Sequence, residues 1–205
     1  MDEEPDERFY GPPRLVTHID DEAIAEVSRL YEELGVPDGE VLDLMSSWIS
    51  HLPRPARRLV VLGMNEMELA HNDDADDAVV CDLNADPALP FADGSFDTVT
   101  CCVSVDYLVR PLEVFDEVAR VLRPGGRFVC TFSNRCFPAK AIRGWLATDD
   151  SAHVEIVSQY FRRSRTRGDS GQPAWEDPVT EHRNPGAGGD PLYTVWSTRR
   201  PASPE

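Results

Sequence analysis

The side chains able to do chemistry gather in short segments that each follow an apolar run. DLMSSWISHLP, beginning inside the run EVLDL, carries Asp43, Ser46, Ser47, Trp48 and His51. Asn65 and Glu66 follow RLVVLG, Asp82 and Leu83 close AVVCDL, Asp106 and Tyr107 follow FDTVTCCVSV, and Asn134 and Arg135 follow RFVCTF. Upstream of all of these, FYGPPRLVTHIDD adds Tyr10, Arg14 and His18. Carboxylates and amides at such places accept hydrogen bonds, hydroxyls donate them, and an aspartate or histidine can take up a proton. No Ser-His-Asp series stands out, and none of the five cysteines has CxxC or Cys/His metal spacing. Buried packing is the reading for the cysteines, with Cys136 alone able to face a pocket.

The runs that must position these residues read as strands. EVLDL (40–44), RLVVLG (58–63) and AVVCDL (78–83) are the first three; runs from Phe96 and from Arg127 are the fourth and fifth. FDTVTCCVSV is almost wholly β-branched or small, as a parallel strand covered on both faces requires. PLEVFDEVARVL then places Leu112, Phe115, Val118, Ala119 and Leu122 at helical spacing, with Pro111 in the first turn and Pro124-Gly125-Gly126 as the stop. A helix joining two buried strands is a parallel crossover. Asp20 or Asp21 caps a helix to about Leu34, with Ile24, Val27, Leu30 and Tyr31 recurring at its period. A helical turn fits after the first strand and a helix from about Glu66 to His71 after the second. Phe137–Ala147 and Ala152–Arg163 read as one broken helix or two, and PLYTVWSTRR alternates as a terminal strand. The fold class is therefore α/β, a doubly wound Rossmann-like sheet, mostly parallel, with helices on both faces. Its organisation is an acidic tail over 1–19, a single domain over 20–200 and a short tail over 201–205. In such a sheet ligands bind beyond the C-terminal strand ends at the switch in strand order, where the segments named above lie.

LPFADGSFD, followed by a helix ending in VLRPGGRFV, resembles the second half of the class I S-adenosylmethionine (SAM) dependent methyltransferases, in particular their small-molecule branch. The resemblance runs from the early helix to the strand after the Pro-Gly-Gly turn. It implies SAM as cofactor, methyl transfer to a small-molecule acceptor, and a final strand antiparallel in the sheet. It makes Asp43 the acidic residue of the loop cradling the methionine part of SAM, and Asp82 with Leu83 the pair meeting the adenine. Two departures stand out. Met45, Ser47 and Ile49 occupy positions that are usually glycine, so Ser46 and Ser47 are expected to supply hydroxyls to the carboxylate and to cap a following helix. Gly63 stands where an acid usually holds the ribose, leaving Asn65 or Glu66 to reach it. The resemblance puts Tyr10, Arg14, Trp48, His51, Tyr107, Asn134 and Arg135 at the acceptor pocket. It makes the N-terminal segment a lid and Asp106 or His18 the general base. A methyltransferase-like protein that binds SAM without catalysis is the rival reading. A nicotinamide oxidoreductase is disfavoured, because no GxGxxG follows the first strand.

The bulk composition narrows the partners. A formal net charge of -17 over 205 residues argues against a nucleic-acid substrate. Lysine occurs once, at Lys140, and acidic blocks such as Asp73–Asp77 supply much of the charge. Such a surface self-repels in dilute buffer and is screened in molar salt, where the Debye length is roughly 3 Å, which points to a salty cytoplasm. No run approaches the roughly twenty apolar residues of a membrane span, and the acidic N-terminus is unlike a leader, so a soluble cytoplasmic protein is expected. Arg162, Arg163, Arg165 and Arg167 read as a solvated helix end, with an anion clamp over the active site as the alternative. Oligomeric state leaves no trace in the sequence.

Overall fold

Strand β1 (Glu40–Leu44) shows how the sheet is covered on both sides. Side chains alternate across a strand, so Val41 packs in one apolar layer while Leu42 and Leu44 pack in the other. Strand β2 (Arg58–Gly63) repeats the division, sending Leu59 and Val61 with Val41, and Val60 and Leu62 with Leu42. The remaining strands are β3 (Asp77–Val80), β4 (Phe96–Cys102), β5 (Leu122–Phe132), β6 (Val179–Arg183) and β7 (Leu192–Thr198). The computed structural model describes residues 6–165, 173–183 and 188–201. Its strands form one sheet in the order β3-β2-β1-β4-β5-β7-β6. The first five are parallel, and β7 lies antiparallel between β5 and β6. The doubly wound, mostly parallel sheet with an antiparallel C-terminal strand is the architecture the sequence implied.

The helices are α1 (Asp6–Tyr10), α2 (Asp21–Glu33), α3 (Glu66–Ala70), α4 (Pro111–Val121), α5 (Arg143–Leu146) and α6 (Asp150–Arg163). Asp20 caps α2 by accepting the Ala23 N–H at 2.8 Å, and the helix buries Ala23, Val27, Leu30 and Tyr31 against the layer containing Val41. On the opposite face α4 and α6 pack Phe115 and Phe161 against Phe128 of β5 and Trp175, a cluster of edge-to-face rings. Such aromatic pairs stabilise by roughly 0.5–1.5 kcal/mol beyond their buried area.

Several expectations are corrected. β3 stops at Val80, because Asp82 folds its carboxylate onto the N–H groups of Asn84 and Ala85 and turns the chain. β5 begins at Leu122 rather than Arg127; Leu122 pairs with Phe96, and a register shift absorbs the Pro-Gly-Gly segment before Arg127 pairs with Thr98. The segment from Phe137 contains only the short α5. VTEHR, which shows no strand alternation in the sequence, is the edge strand β6, whose charged composition suits an edge. Leu112 is exposed rather than packed. No helix or helical turn follows β1, so β1 and β2 are joined by irregular chain. Arg162 pairs with Glu155 and Arg163 with Gln159, while Arg165 donates to helix-end carbonyls; Arg167 lies outside the described residues, as does the acidic tail through residue 5.

Candidate functional site

The strand order reverses between β1 and β4, and the loops leaving them diverge at their C-terminal ends. A crevice is expected at that point, and a cavity of about 120 Å³ lies there. Its walls bring together Asp43 of β1, Ser46, Ser47, Trp48 and His51 from the loop after it, Asp82 and Leu83 after β3, and Tyr107 after β4. Tyr10 and His18 of the N-terminal segment complete it. Ten of the predicted site residues therefore share one cavity, across strands that are neighbours in the sheet.

Asp43 forms the floor. Thr100, its register partner on β4, donates its hydroxyl to Oδ1 at 2.8 Å, and Ser46 donates to Oδ2 at 2.6 Å. Burial pushes the carboxyl above its ordinary range, against the pull of those hydroxyl donors. Ser46 is thus committed to Asp43. Its backbone is committed as well: the Ser46 N–H donates to the Leu62 carbonyl at 2.7 Å, carrying the loop across the end of β2. A Cβ on Gly63 would lie 2.2 Å from the Ser46 carbonyl oxygen. The place of an acidic side chain at the end of β2 is therefore filled by backbone, which is why glycine stands there. The expected serine cap has no helix to cap.

Positive φ marks the same region. Met45 (φ 55), His51 (φ 55) and Val103 (φ 45) are left-handed without being glycine. For a β-branched residue such as Val103 this is a true outlier, and strain of this kind, on the order of 1–3 kcal/mol each, concentrates at functional sites. Met45 takes a glycine-like conformation at one of the positions where the resemblance expects glycine. His51 is 9% exposed, its Nδ1 has no hydrogen-bond partner, and its carbonyl accepts from the Ser28 hydroxyl at 2.8 Å. Burial, with a smaller contribution from His18, pushes its pKa down to about 4. The ring is neutral at pH 7.

The N-terminal segment crosses the mouth of the cavity. The Asn65 amide donates to the carbonyls of Tyr10 and Gly11 at 2.8 and 2.9 Å, while its oxygen caps α3 by accepting the Glu68 N–H. Asn65 is therefore tied to that segment, and Glu66 is exposed and outside the cavity. Glu68, which sequence reasoning missed, accepts the Arg14 N–H at 2.6 Å and the Ser47 hydroxyl at 2.8 Å. Trp48 Nε1 donates to the Val16 carbonyl. Asn84, also missed, donates to Asp6 at 2.9 Å and to the Tyr107 carbonyl at 3.0 Å, and Lys140 pairs with Asp6 at 3.1 Å. The contacts of this segment with Asn65, Glu68 and Asn84 and that of Lys140 with Asp6 span more than fifty residues of sequence, and no local pattern encodes them.

The other predicted residues lie elsewhere. Arg14 stacks its guanidinium on Phe9, 4.4 Å from the ring centroid, and does not line the cavity. Asn134 is exposed, and Arg135 pairs with Asp190 at 2.8 Å. Cys81 and Cys102 line the cavity, but Cys136 does not. Asp106 is buried and is not among the lining residues. Burial raises its pKa to about 7, and its Oδ2 has no partner. The folded state therefore keeps a proton that the unfolded chain loses near pH 4, so the group's contribution to stability is present at pH 4 and is lost as pH rises to 7. Asp106→Asn should accordingly raise the urea midpoint relative to the parent at pH 8 and leave it nearly unchanged at pH 4.5. A difference independent of pH would refute this assignment.

A family model described as a methyltransferase domain matches residues 48–130, beginning within the loop after β1 and ending in β5. The malonyl-[acyl-carrier protein] O-methyltransferase of Hahella chejuensis is 32% identical over 53% of this chain and 41% of its own length. The demethylmenaquinone methyltransferase of Clavibacter sepedonicus is 34% identical over 64% of this chain and 54% of its own. The chain spans about half the length of the curated relatives it matches. A chain from the complex of the Haloferax volcanii Trm112 methyltransferase activator with a methyltransferase shares the fold. It superposes with a TM-score of 0.59 over 89% of this chain and 91% of that one, at 15% identity. The family match and the relatives are methyltransferases and the fold is one they share, in keeping with the class I SAM-dependent methyltransferases that the crossover segment resembles.

The cavity suits the cofactor of that class in its charge and its open valences. Asp6, Asp43 and Asp82 line it and, among the described residues, no lysine or arginine does, which favours a cationic sulfonium. Tyr10 and His51, both lining residues, each carry a buried polar atom without a partner, as expected of groups that bond to a ligand. No helix of the described residues is long and apolar enough to cross a membrane.

Proposed function

We propose that this chain transfers a methyl group from SAM to a small-molecule acceptor. The observation that carries the reading is the cavity at the β1/β4 switch, with Asp43 at its floor and Asp82 with Leu83 at the end of β3. SAM would supply an electrophilic methyl group on its sulfonium. The work left to the protein is to orient donor and acceptor and to exclude water. Asp82 and Leu83 would hold the adenine, Asp43 would organise the loop after β1, and the N-terminal segment would cover the mouth. His18, on that segment, is the candidate base where the acceptor must lose a proton. Asp106, buried and outside the cavity lining, is set aside as the base.

Calorimetric titration with S-adenosylhomocysteine, in dilute buffer and in molar potassium chloride, tests this reading. Micromolar binding is expected in at least the salted sample, and folded protein with no heat of binding in either would defeat the proposal. A second reading, a methyltransferase-like protein that binds the nucleoside without catalysis, is favoured by the missing helix after β1.

At about 120 Å³ the cavity is smaller than the roughly 300 Å³ of ordinary ligand pockets. A nucleoside therefore enters when the N-terminal segment opens. Asn65→Asp keeps the acceptor that caps α3 but loses the amide donors to Tyr10 and Gly11. Stopped-flow fluorescence of Trp48 should show S-adenosylhomocysteine entering and leaving severalfold faster in this variant; unchanged rates would show that the Asn65 contact does not gate the cavity.

A further inference from the structure

A second concavity shares a wall with the cavity. Asp6, Asn84 and Tyr107 line both, and the further groove, about 490 Å³, lies between Leu108–Pro111 on one side and Ala141, Ile142 and Tyr160 on the other. It shares Val109, Pro111 and Tyr160 with a third concavity of about 460 Å³, which runs on between α4 and α6 past Leu112 and Ile156. One elongated groove thus leads away from the cavity wall. Its floor includes apolar side chains that the fold leaves unpacked: Val109 is 61% exposed and Leu112 is 37% exposed.

Charge is placed at one end only of the deeper part. Lys140, the chain's single lysine, is buried where groove and cavity meet and pairs there with Asp6, and Arg143, also on the groove wall, is exposed. Farther out Arg110 pairs with Glu113, and Arg163 donates to the Gln159 side chain. In a chain of net charge -17, two cations against the one carboxylate of Asp6 leave the junction net positive, which marks where an anionic group would be received, and the apolar stretch beyond marks where a hydrocarbon would lie.

We propose that the groove holds the methyl acceptor, and that the acceptor is an amphiphile with an anionic head and one apolar chain. The head lies against Lys140 and Arg143, next to the wall of Asp6, Asn84 and Tyr107, and the chain lies over Val109 and Leu112. The location follows from the shared wall, and the role as methyl acceptor rests on the methyl-transfer reading. A head that competes with Asp6 for Lys140 would loosen the wall separating it from the cavity.

The fluorescent fatty acid cis-parinaric acid and its methyl ester serve as probes on the full chain. The acid should bind saturably and more tightly than the ester. Val109→Glu places a charge on an exposed position, so folding is retained, and it should weaken the acid by about tenfold or more, the equivalent of about 1.4 kcal/mol. Arg143→Glu should abolish the preference for acid over ester. Absence of saturable binding, or parental affinity in both variants, overturns the proposal; equal affinity for acid and ester overturns the anionic head. The affinity for S-adenosylhomocysteine, measured in the same samples, should be unchanged by Val109→Glu. Its complete absence from a protein that binds parinarate would strike the methyl-transfer reading and leave the groove as a binding site.

Discussion

Gly63→Ala will lower the stability of this protein by about 3 kcal/mol, at the upper end of what an added methyl group costs in a packed site. The new Cβ would meet the Ser46 carbonyl oxygen at 2.2 Å and Leu69 Cδ2 at 3.2 Å. The first of these atoms is backbone and has no rotamer to change. Relief by moving the loop would break the 2.7 Å bond from the Ser46 N–H to the Leu62 carbonyl. Relief by moving the strand is opposed from the other side, where Gly63 accepts the Cys81 N–H at 2.9 Å and pairs with Val80. Ser46 also anchors Asp43, so displacement of the loop would disturb the cavity floor, and S-adenosylhomocysteine affinity should fall with stability. Gly144→Ala is the matched control, since nothing lies within 4 Å of its Cβ position and alanine is the better helix former. Urea unfolding of the two variants decides the matter: equal midpoints would show that the loop yields freely and that the close approach constrains nothing.

The same glycine shows what could be read in advance. A glycine inside a strand signals close approach of another backbone, and RLVVLG carried that signal. The resemblance directed attention to the acid it lacks rather than to the carbonyl it accommodates. Periodicity was sufficient for β1, β2, α2 and α4, because each buries a regular pattern of apolar residues. It failed for β6, whose VTEHR is an exposed edge with no buried face to impose alternation. Burial of Asp106 was invisible because the residues that bury it come from distant segments; Ile142, for one, donates its N–H to the Asp106 carbonyl. Asn65 and Glu68 followed the same logic. Asn65 was legible only as a ligand contact and Glu68 not at all, because their partners Tyr10, Gly11 and Arg14 reach them only in the folded chain.

His51→Gly will separate affinity for the amino-acid tail of the cofactor from affinity for its nucleoside. The argument begins with what the loop after β1 lacks. It has neither the alternate glycines whose amides approach a ligand nor a following helix whose N–H groups favour an anion. Donors to a carboxylate must then come from side chains, and Ser46 and Ser47 already donate to Asp43 and Glu68. His51 is buried on the cavity wall with Nδ1 unpartnered, and its pKa near 4 leaves it neutral at pH 7, a single N–H donor. Losing a hydrogen bond to a charged group costs about 1.5–3 kcal/mol, roughly ten- to a hundredfold in affinity. S-adenosylhomocysteine binding should weaken by that factor, while 5′-methylthioadenosine, which has no tail carboxylate, should keep its affinity. Glycine is the appropriate replacement because it also removes the strain of φ 55. Asparagine, which retains an N–H donor and tolerates that conformation, should recover part of the lost affinity. An equal loss for both ligands would mean that the imidazole only shapes the cavity, and that the tail carboxylate is held elsewhere.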